Sequence, residues 1–231
     1  PKLGATGFAY QIARQFGLKI IPPRPALVPF TLPAPESLFR ELAGVAAEVV
    51  AKAGKTAFRE AALFTHRGLS GPAMLQVSSY WRHGDAIAVD FLPDAPADWL
   101  INAKRQRPRA GLKSVLASVL PERLAAALSD TLGLPGEMAA QKDASLAAAM
   151  TRLKAWAFRP DGTEGFAKAE VTAGGIDTQG LAQRSLEARS VPGLFAIGEA
   201  VDVTGWLGGY NFQWAWASGF AAGRAIGERR G

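Results

Sequence analysis

Apolar residues recur along the chain at both helical and strand-like periods, which predicts a mixed α/β protein. Near the start, Phe8, Ile12 and Phe16 recur every four residues. We therefore expect a helix there, with Thr6 as its N-cap and Gly17 as its end.

The middle of the chain carries both kinds of pattern. Residues 20–32 contain four prolines, which lack the N–H that a strand ladder needs, so this segment predicts an edge strand or a connector. Residues 85–91 alternate between apolar and polar side chains, which predicts a strand. Apolar repeats predict one helix that begins after Pro121 and a second around Met150.

The last third of the chain reads as strand, strand and helix. Alternation predicts a strand over 167–173, and the short apolar run 194–197 predicts a strand buried on both faces. Residues 210–228 form a helical pattern that is apolar nearly all round, so we expect a buried helix. If Trp216 is buried, its truncation to Ala costs about 3–5 kcal/mol.

The composition is that of an ordinary globular chain of 231 residues, with 48% hydrophobic and 20% charged residues. Because Cys is absent, disulfides, Cys-ligated metal sites and thiol nucleophiles are excluded. The two histidines, His66 and His83, do not have the spacing of a metal motif. No apolar run reaches the ~18 residues of a membrane span, so we expect no membrane association and a cytoplasmic protein.

The chain begins at Pro1, inside a structured pattern and without a charged and apolar leader. We therefore expect it to be the later part of a longer protein, with part of the active apparatus upstream.

The formal net charge is +6, and basic residues are densest in one short stretch. That stretch contains Lys104, Arg105, Arg107, Arg109 and Lys113. It has two interpretations, a phosphate or nucleic-acid contact and a solvated loop around Pro108. No aromatic residue interleaves with these charges, which weakens the nucleic-acid interpretation. We do not expect a nucleic-acid partner.

The strongest chemical signal is residues 195–211, which combine glycines, two carboxylates and the start of the last helix. Gly198 ends a predicted strand, where ligands of open α/β sheets bind, and Glu199 and Asp202 suit sugar or ribitol hydroxyls. Gly208 and Gly209 open the apolar helix, so its free N–H groups and its dipole point to the same place. A flavin needs such donors, because its O2/N1 edge becomes anionic on reduction. The alternative is a glycine-rich loop without a ligand.

Residues 198–215 resemble the closing signature of the HI0933-like flavoproteins, which include aminoacetone oxidase and bile-acid reductase (BaiN-like) groups. Three other segments resemble motifs of the same family. They are Pro-Lys-Leu-Gly-Ala-Thr-Gly at 1–7, Phe-Thr-His-Arg-Gly-Leu-Ser-Gly-Pro at 64–72 and Val-Thr-Ala-Gly-Gly-Ile at 171–176. The resemblance follows the family's order along nearly the whole chain.

The resemblance implies an α/β fold, with part of a doubly wound FAD-binding domain interrupted by an inserted mixed β-barrel and helical domain. Residues 1–32 and 166–231 would belong to the FAD domain, and 33–165 to the insertion. The family's Gly-x-Gly-x-x-Gly turn, which binds the pyrophosphate, does not occur in this sequence. We therefore expect the missing N-terminal half of the FAD domain as a partner, and little FAD binding or activity by this chain alone.

The resemblance also implies an FAD-dependent oxidoreductase that passes hydride from NAD(P)H through FAD to a small organic substrate, such as a conjugated carbon–carbon double bond. The candidate cofactor-binding residues are Thr6, Gly7, Gly174, Gly175, Gly198, Glu199, Asp202, Gly208, Gly209, Tyr210 and Asn211. His66 and Tyr210 are candidate proton donors. No residue pattern identifies the substrate or a metal site.

Each candidate has a simpler alternative. Thr6 also suits a helix cap, Gly174 and Gly175 suit a turn with positive φ, and His66 suits a strand end. Ser70, ahead of Gly71-Pro72, reads as an N-cap rather than a nucleophile. Two further functional alternatives remain: the inserted domain as an RNA-binding or partner-binding module, and a structural piece without a cofactor.

Overall fold

The computed structural model describes residues 5–229, apart from the side chains of Pro35 and Ser37. The first four residues of the 1–7 motif therefore lie outside the described residues. The helices are α1 (Phe8–Gln15), α2 (Ser37–Arg40), α3 (Pro72–Ser78), α4 (Trp99–Gln106), α5 (Leu112–Leu116), α6 (Glu122–Leu132), α7 (Asp143–Lys154) and α8 (Tyr210–Glu228). The strands are β1 (Ile20–Ala26), β2 (Phe30–Thr31), β3 (Ala46–Ala53), β4 (Thr56–Phe64), β5 (Gly68–Ser70), β6 (Ile87–Asp90), β7 (Trp156–Phe158), β8 (Gly162–Thr163) and β9 (Val171–Ile176).

The chain divides into two compact units. The first, which we name the outer unit, combines residues 5–28 and 164–229, and the second, the central unit, contains 29–163. The central unit is thus one continuous stretch of sequence, whereas the outer unit is built from both ends of the described chain.

The central unit contains a seven-stranded sheet in the order β7-β6-β3-β4-β5-β2-β8, with antiparallel neighbours. β3 and β4 form a hairpin in register from Ala46–Leu63 to Ala53–Thr56. Every second residue of β3 is buried, as expected for a strand with one face on a core.

One hydrophobic core fills the central unit and joins the sheet to the helices. Its centre is an aromatic group in which Phe39 stacks on Phe64 and meets the ring edges of Trp156 and Phe158. The sequence prediction of α6 and α7 is confirmed, because the first begins directly after Pro121 and both bury their leucines in this core. The strand predicted over 85–91 is confirmed as β6.

The outer unit has a two-stranded antiparallel sheet of β1 and β9. The prolines of β1 interrupt its register between Ile21 and Arg24, as expected for a strand that lacks several ladder donors. A smaller core lies beside this sheet and includes Ala13, Leu181 and Val201.

Helix α1 begins one residue away from the predicted position. Its N-cap is Gly7, not Thr6, although the Thr6 hydroxyl accepts a hydrogen bond from the Phe8 N–H at 3.4 Å. Helix α3 differs in the same way, because Gly71 rather than Ser70 is its N-cap, with Pro72 in the first turn as predicted. The prediction that Gly17 ends α1 is confirmed by its positive φ of 74°.

The strand predicted over 167–173 is confirmed only from Val171 onwards, because Gly165–Ala167 forms a 3-10 turn. Two other predictions for the last third of the chain are wrong. Residues 194–197 do not form a strand, because their described pairing is a single antiparallel bridge from Phe195 to Glu187, and Ile197 is exposed. Helix α8 has the predicted bounds but is not buried. Trp216 is 77% exposed and Phe212 and Phe220 are similarly open, while only Ser218 and Ala222 are buried in this helix.

The protein is a mixed α/β structure with sheets, as predicted. The doubly wound FAD domain and the inserted barrel stay predictions, because the outer unit's sheet within residues 5–229 has two antiparallel strands. None of the helices in the described part of the chain combines the length and apolar character that a membrane span requires.

Candidate functional site

The outer unit contains a cavity of about 510 Å³, within the size range of cofactor and small-molecule sites. It lies between the start of α1, strand β9 and a 3-10 turn at Gly198–Ala200. The lining residues are Ala5, Thr6, Gly7, Ala9, Tyr10, Pro23, Phe166, Thr172, Glu199 and Ala200. Three of the predicted cofactor residues, Thr6, Gly7 and Glu199, therefore meet at one cavity.

The two predicted carboxylates hold strand β9 in place. Glu199 Oε1 accepts a hydrogen bond from the Thr172 N–H at 2.6 Å, and Asp202 Oδ1 accepts one from the Gly174 N–H at 3.0 Å. Each bond uses one oxygen of its carboxylate. These residues are thus part of the scaffold of the site, whatever they bind through the other oxygen.

Gly174 and Gly175 are required by the backbone around them. A Cβ on Gly174 would lie 2.4 Å from the carbonyl oxygen of Pro22, and one on Gly175 would lie 2.6 Å from that of Ala200. Both have positive φ. The positive φ of the alternative explanation is confirmed, although both glycines lie within β9 rather than in a turn, and close backbone approach explains them without a ligand. A role beside a flavin ring stays a prediction.

Tyr10 was not a candidate from the sequence, yet its side chain lines the cavity. Burial raises its pKa, and the negative charge of Glu199 raises it further. Its hydroxyl therefore stays protonated at neutral pH and can donate a hydrogen bond. The available signal was helical spacing, because Tyr10 follows Gly7 by three residues and so lies on the same side of α1.

The start of α8 forms a second group of predicted residues. Gly208 and Gly209 have φ of 108° and 92°, and Gly209 is the N-cap without any side chain to cap the helix. The Gln213 N–H makes the first bond of the helix, to the Gly209 carbonyl. The backbone N–H groups before this bond, which include those of Tyr210 and Asn211, take no part in the hydrogen-bond ladder of the helix. The positive end of the helix dipole lies at the same place.

Hydrogen bonds connect Gly198, beside the cavity, to the interior of α8. The Gly198 N–H donates to Ser218 Oγ at 2.9 Å, and its carbonyl accepts from Trp214 Nε1 at 2.9 Å. Both partners are in α8, so the turn that carries Glu199 is fixed to this helix. The cavity lining itself ends at Ala200 and does not include Gly208, Gly209 or Tyr210.

Asn211 has a local structural role. Its side chain accepts a hydrogen bond from the Gly205 N–H at 2.8 Å and donates to the Gly205 carbonyl at 3.1 Å. The loop before α8 is thus closed onto the helix. Because the Asn211 side-chain amide is used in this way, the backbone N–H groups of the first turn of α8 are the main hydrogen-bond donors that this region offers to a ligand.

The two candidate proton donors lie in different units. Tyr210 is in the outer unit at the start of α8 and is 61% exposed. His66 is in the central unit, exposed in the turn between β4 and β5. His83 is exposed in a turn, as predicted. Within residues 5–229, no group of three or more potential ligands is placed to hold a metal ion.

The outer unit therefore provides a set of groups that fits a flavin. It has a cavity of suitable size with a neutral hydroxyl and a carboxylate on its wall, and it also contains an uncapped helix start. An uncapped helix start stabilises negative charge, which a reduced flavin carries on its O2/N1 edge.

Comparisons with known proteins agree with the resemblance at the family level. A family model described as the HI0933-like protein barrel and H2TH domain matches residues 24–171. A ribosomal RNA dihydrouridine synthase of Escherichia coli K12 is 49% identical over 98% of this chain and 58% of that protein. A protein of the same name from Haemophilus influenzae is 42% identical over 99% of this chain and 58% of its own length.

A 3-dehydro-bile acid delta(4,6)-reductase of Clostridium scindens is more distant, at 33% identity over 98% of this chain and 59% of that protein. The chain thus spans 58–59% of the length of these relatives. All three relatives are named as enzymes. The names of the two more similar relatives refer to ribosomal RNA, which runs against the expectation that nucleic acid is not a partner.

Proposed function

Because the chain belongs to the HI0933-like protein family, we propose that the complete protein is an FAD-dependent oxidoreductase and that the outer unit forms part of its flavin site. The observation that carries this proposal is helix α8, whose start is uncapped and whose Trp214 and Ser218 side chains hydrogen-bond Gly198 in the turn beside the cavity. Both features belong to one unit and suit one anionic, ring-shaped ligand.

The residues of this chain have distinct roles in the proposed site. The first N–H groups of α8, after Gly208 and Gly209, donate to the anionic edge of the ring. Glu199 and Asp202 accept from the sugar-alcohol hydroxyls through the oxygens not used by β9. Thr6 and Gly7 contact the ligand from α1. When bound, the flavin supplies hydride transfer, with NAD(P)H as the proposed electron donor.

We propose uridine in ribosomal RNA as the substrate. Two relatives are named as ribosomal RNA dihydrouridine synthases, and dihydrouridine is uridine whose C5–C6 double bond has been reduced. That double bond is conjugated with a carbonyl, which is the kind of acceptor that the family resemblance implies. The protein must then bind RNA, which revises the expectation of a small substrate without a nucleic-acid partner.

A small apolar enone is the second candidate substrate. It is favoured by the delta(4,6)-reductase relative and by the exposed Trp206 and Tyr210 near the start of α8. The two candidates differ in size and charge, so they are separable by one assay.

We further propose that the rest of the complete protein covers the apolar side of α8. Phe212, Trp216 and Phe220 are spaced four residues apart and stand open in this chain. Soluble proteins rarely leave such a row uncovered, and the relatives are longer than this chain. The FAD-domain half that supplies the pyrophosphate turn is the proposed occupant.

The experiment uses the complete protein, purified and examined by absorption spectroscopy. We expect a bound flavin band that bleaches on addition of NADH or NADPH. Ribosomal RNA from a strain lacking the protein is then incubated with it, and dihydrouridine is measured by mass spectrometry, beside a parallel assay with a small enone. A protein without a flavin band overturns the oxidoreductase proposal. A flavoprotein that reduces only the enone overturns the RNA substrate.

A matched pair of variants tests the helix-start role. Gly209 and Gly84 have the same φ of 92° and the same open surroundings, but only Gly209 begins α8. We expect Gly209→Val in the complete protein to lower flavin occupancy at least tenfold, and Gly84→Val to leave it unchanged. Equal occupancy in the two variants would show that α8 does not hold the ring.

A further inference from the structure

The central unit has a basic surface that the proposed flavin chemistry does not use. It consists of Arg105, Arg107, Arg109 and Lys113, which extend from the last turn of α4 through the connecting loop to the first turn of α5. All four are exposed. The sequence has no Asp or Glu between Asp98 and Glu122, so this whole stretch carries positive charge only.

The backbone that carries the basic surface is fixed. The carbonyls of Pro108 and Ala110 accept hydrogen bonds from the N–H groups of Ala139 and Met138, both at 2.8 Å. The Arg107 guanidinium donates to Ser114 Oγ at 3.0 Å, which orients its head group across the loop. Binding a ligand here therefore costs less ordering than binding to a flexible loop.

The arginines and the lysines of this stretch differ in whether they form ion pairs. Lys104 is paired with Asp143 at 2.7 Å, and Lys113 approaches Glu122 at 3.6 Å. By contrast, none of the three arginines forms an ion pair within residues 5–229.

Besides Glu122, two acidic side chains lie near this surface. Asp143 interacts electrostatically with Arg105 as well as with Lys104, and Glu137 lies across a backbone bridge from Gly111. Three arginines together with Lys104, Lys113 and Lys142 outnumber these three carboxylates, so the surface keeps a net positive charge that attracts an external anion.

We propose that this surface binds the phosphate backbone of a double-stranded RNA stem and so holds the RNA substrate on the protein. Guanidinium groups bind phosphate oxygens in a planar, two-pronged geometry. The surface has no aromatic side chain between residues 105 and 113 on which an unpaired base stacks, which favours a stem over a single strand. This inference rests on the proposed RNA substrate and adds the surface that recognises it.

The experiment measures binding of the 231-residue chain to a fluorescent 16-base-pair RNA stem at several salt concentrations. One variant combines Arg105→Gln, Arg107→Gln and Arg109→Gln. The control variant removes the same charge elsewhere, by Lys52→Gln, Lys55→Gln and Arg184→Gln, all at exposed positions. Circular dichroism verifies that both variants are folded.

We expect the arginine variant to lose about tenfold or more in affinity and the control to change less than twofold. The slope of log affinity against log salt should decrease by about one for each lost phosphate contact. A single-stranded RNA of the same length should bind more weakly than the stem.

Three results would overturn the inference. They are equal losses of affinity in the two variants, a wild-type chain that does not bind the stem at low salt, and polyglutamate that competes for the chain as well as unlabelled RNA stem does. The RNA-modification assay on the complete protein is independent of these results. If the arginine variant of the complete protein binds normally and still modifies RNA, this surface is wrong but the proposed substrate stands. If no RNA is modified while the stem still binds, the proposed substrate fails.

Discussion

At the scale of single residues, Gly174 and Gly193 separate two reasons for a glycine. Both have a φ of 87°, but a Cβ on Gly174 would overlap the Pro22 backbone, whereas nothing lies within 4 Å of one on Gly193. We expect Gly193→Ala to lower the free energy of unfolding by about 1–2 kcal/mol, because alanine is strained in this backbone conformation. Gly174→Ala should lower it by about 1–3 kcal/mol more, because the new Cβ overlaps the Pro22 backbone. Chemical denaturation measures both, and equal costs would contradict the close-approach explanation.

The ion pair between Glu187 and Arg229 makes the outer unit sensitive to acid. Both guanidinium N–H groups of Arg229 donate to the carboxylate, and the Gly193 N–H donates to it at 2.7 Å. The hydrogen bonds from Arg229, and then that from Gly193, lower the pKa of Glu187. As pH falls, Glu187 is protonated in the unfolded chain before it is protonated in the folded protein. The stabilisation is therefore complete above the ordinary Glu pKa of about 4.3 and is lost as pH falls through the lower pKa of the folded state.

Glu187→Gln should therefore be less stable than wild type at pH 7, and the difference should shrink below about pH 4.3. Urea denaturation at a series of pH values measures this difference. The control is Glu228→Gln, which removes only an exposed pair with Arg224 and should change stability little at any pH. If the difference in unfolding free energy between Glu187→Gln and wild type stays constant from pH 7 to pH 3, the ionised Glu187 is not the source of this stabilisation.

The sequence predicts local features of the site better than its distant pairings. Gly208, Gly209 and the start of α8 are adjacent in sequence, so their arrangement follows from turn and helix geometry. Tyr10 and Glu199 are far apart in sequence, and only the fold brings them to one cavity. For the same reason, the use of Glu199 to hold β9 is not visible in the sequence.

At the scale of elements, α8 shows the difference between the extent of a helix and its environment. The apolar repeat and the paired glycines before it predict its bounds, because periodicity and helix-start signals are local features of a sequence. Burial depends on what else packs against it. Residues 194–197 make the same point for a strand, because an apolar run forms one only beside a suitable edge.

Trp216→Ala should have little effect on the stability of this chain, within about 0.5 kcal/mol, because the exposed side chain buries little surface. This replaces the loss of 3–5 kcal/mol expected for a buried residue. The control, Leu181→Ala, removes a residue of the outer unit's core and should cost about 2–5 kcal/mol. Urea denaturation of this chain compares the two, and equal losses would show that Trp216 is covered.

At the scale of the whole molecule, the two units differ in how completely they cover their apolar side chains. The central unit buries one large core, and only Leu38, Tyr80 and Val119 are its exposed large apolar residues within the described chain. The outer unit has a small core and many exposed aromatic residues along α8. Most of the stability of this chain therefore resides in the central unit.

Residues 29–163 should fold when expressed alone. We expect a cooperative thermal transition by circular dichroism and no binding of a hydrophobic dye, because the core of this unit is complete without the outer unit. The control is the 231-residue chain, which should bind the dye through the exposed side of α8. A non-cooperative transition in the shorter protein would refute this independence.

The first and last strands of the central unit pair with each other, Phe30 opposite Thr163 and Thr31 opposite Gly162. The polypeptide thus leaves the unit beside the place where it entered, roughly one inter-strand spacing of ~4.8 Å away. A short glycine linker in place of residues 29–163 would have little distance to bridge. A homologous unit from a relative could be inserted between the same two junctions. Chimaeras made at these junctions would therefore exchange the central unit, with its basic surface, while the outer unit stays constant, so genetic recombination can transfer this unit as a whole.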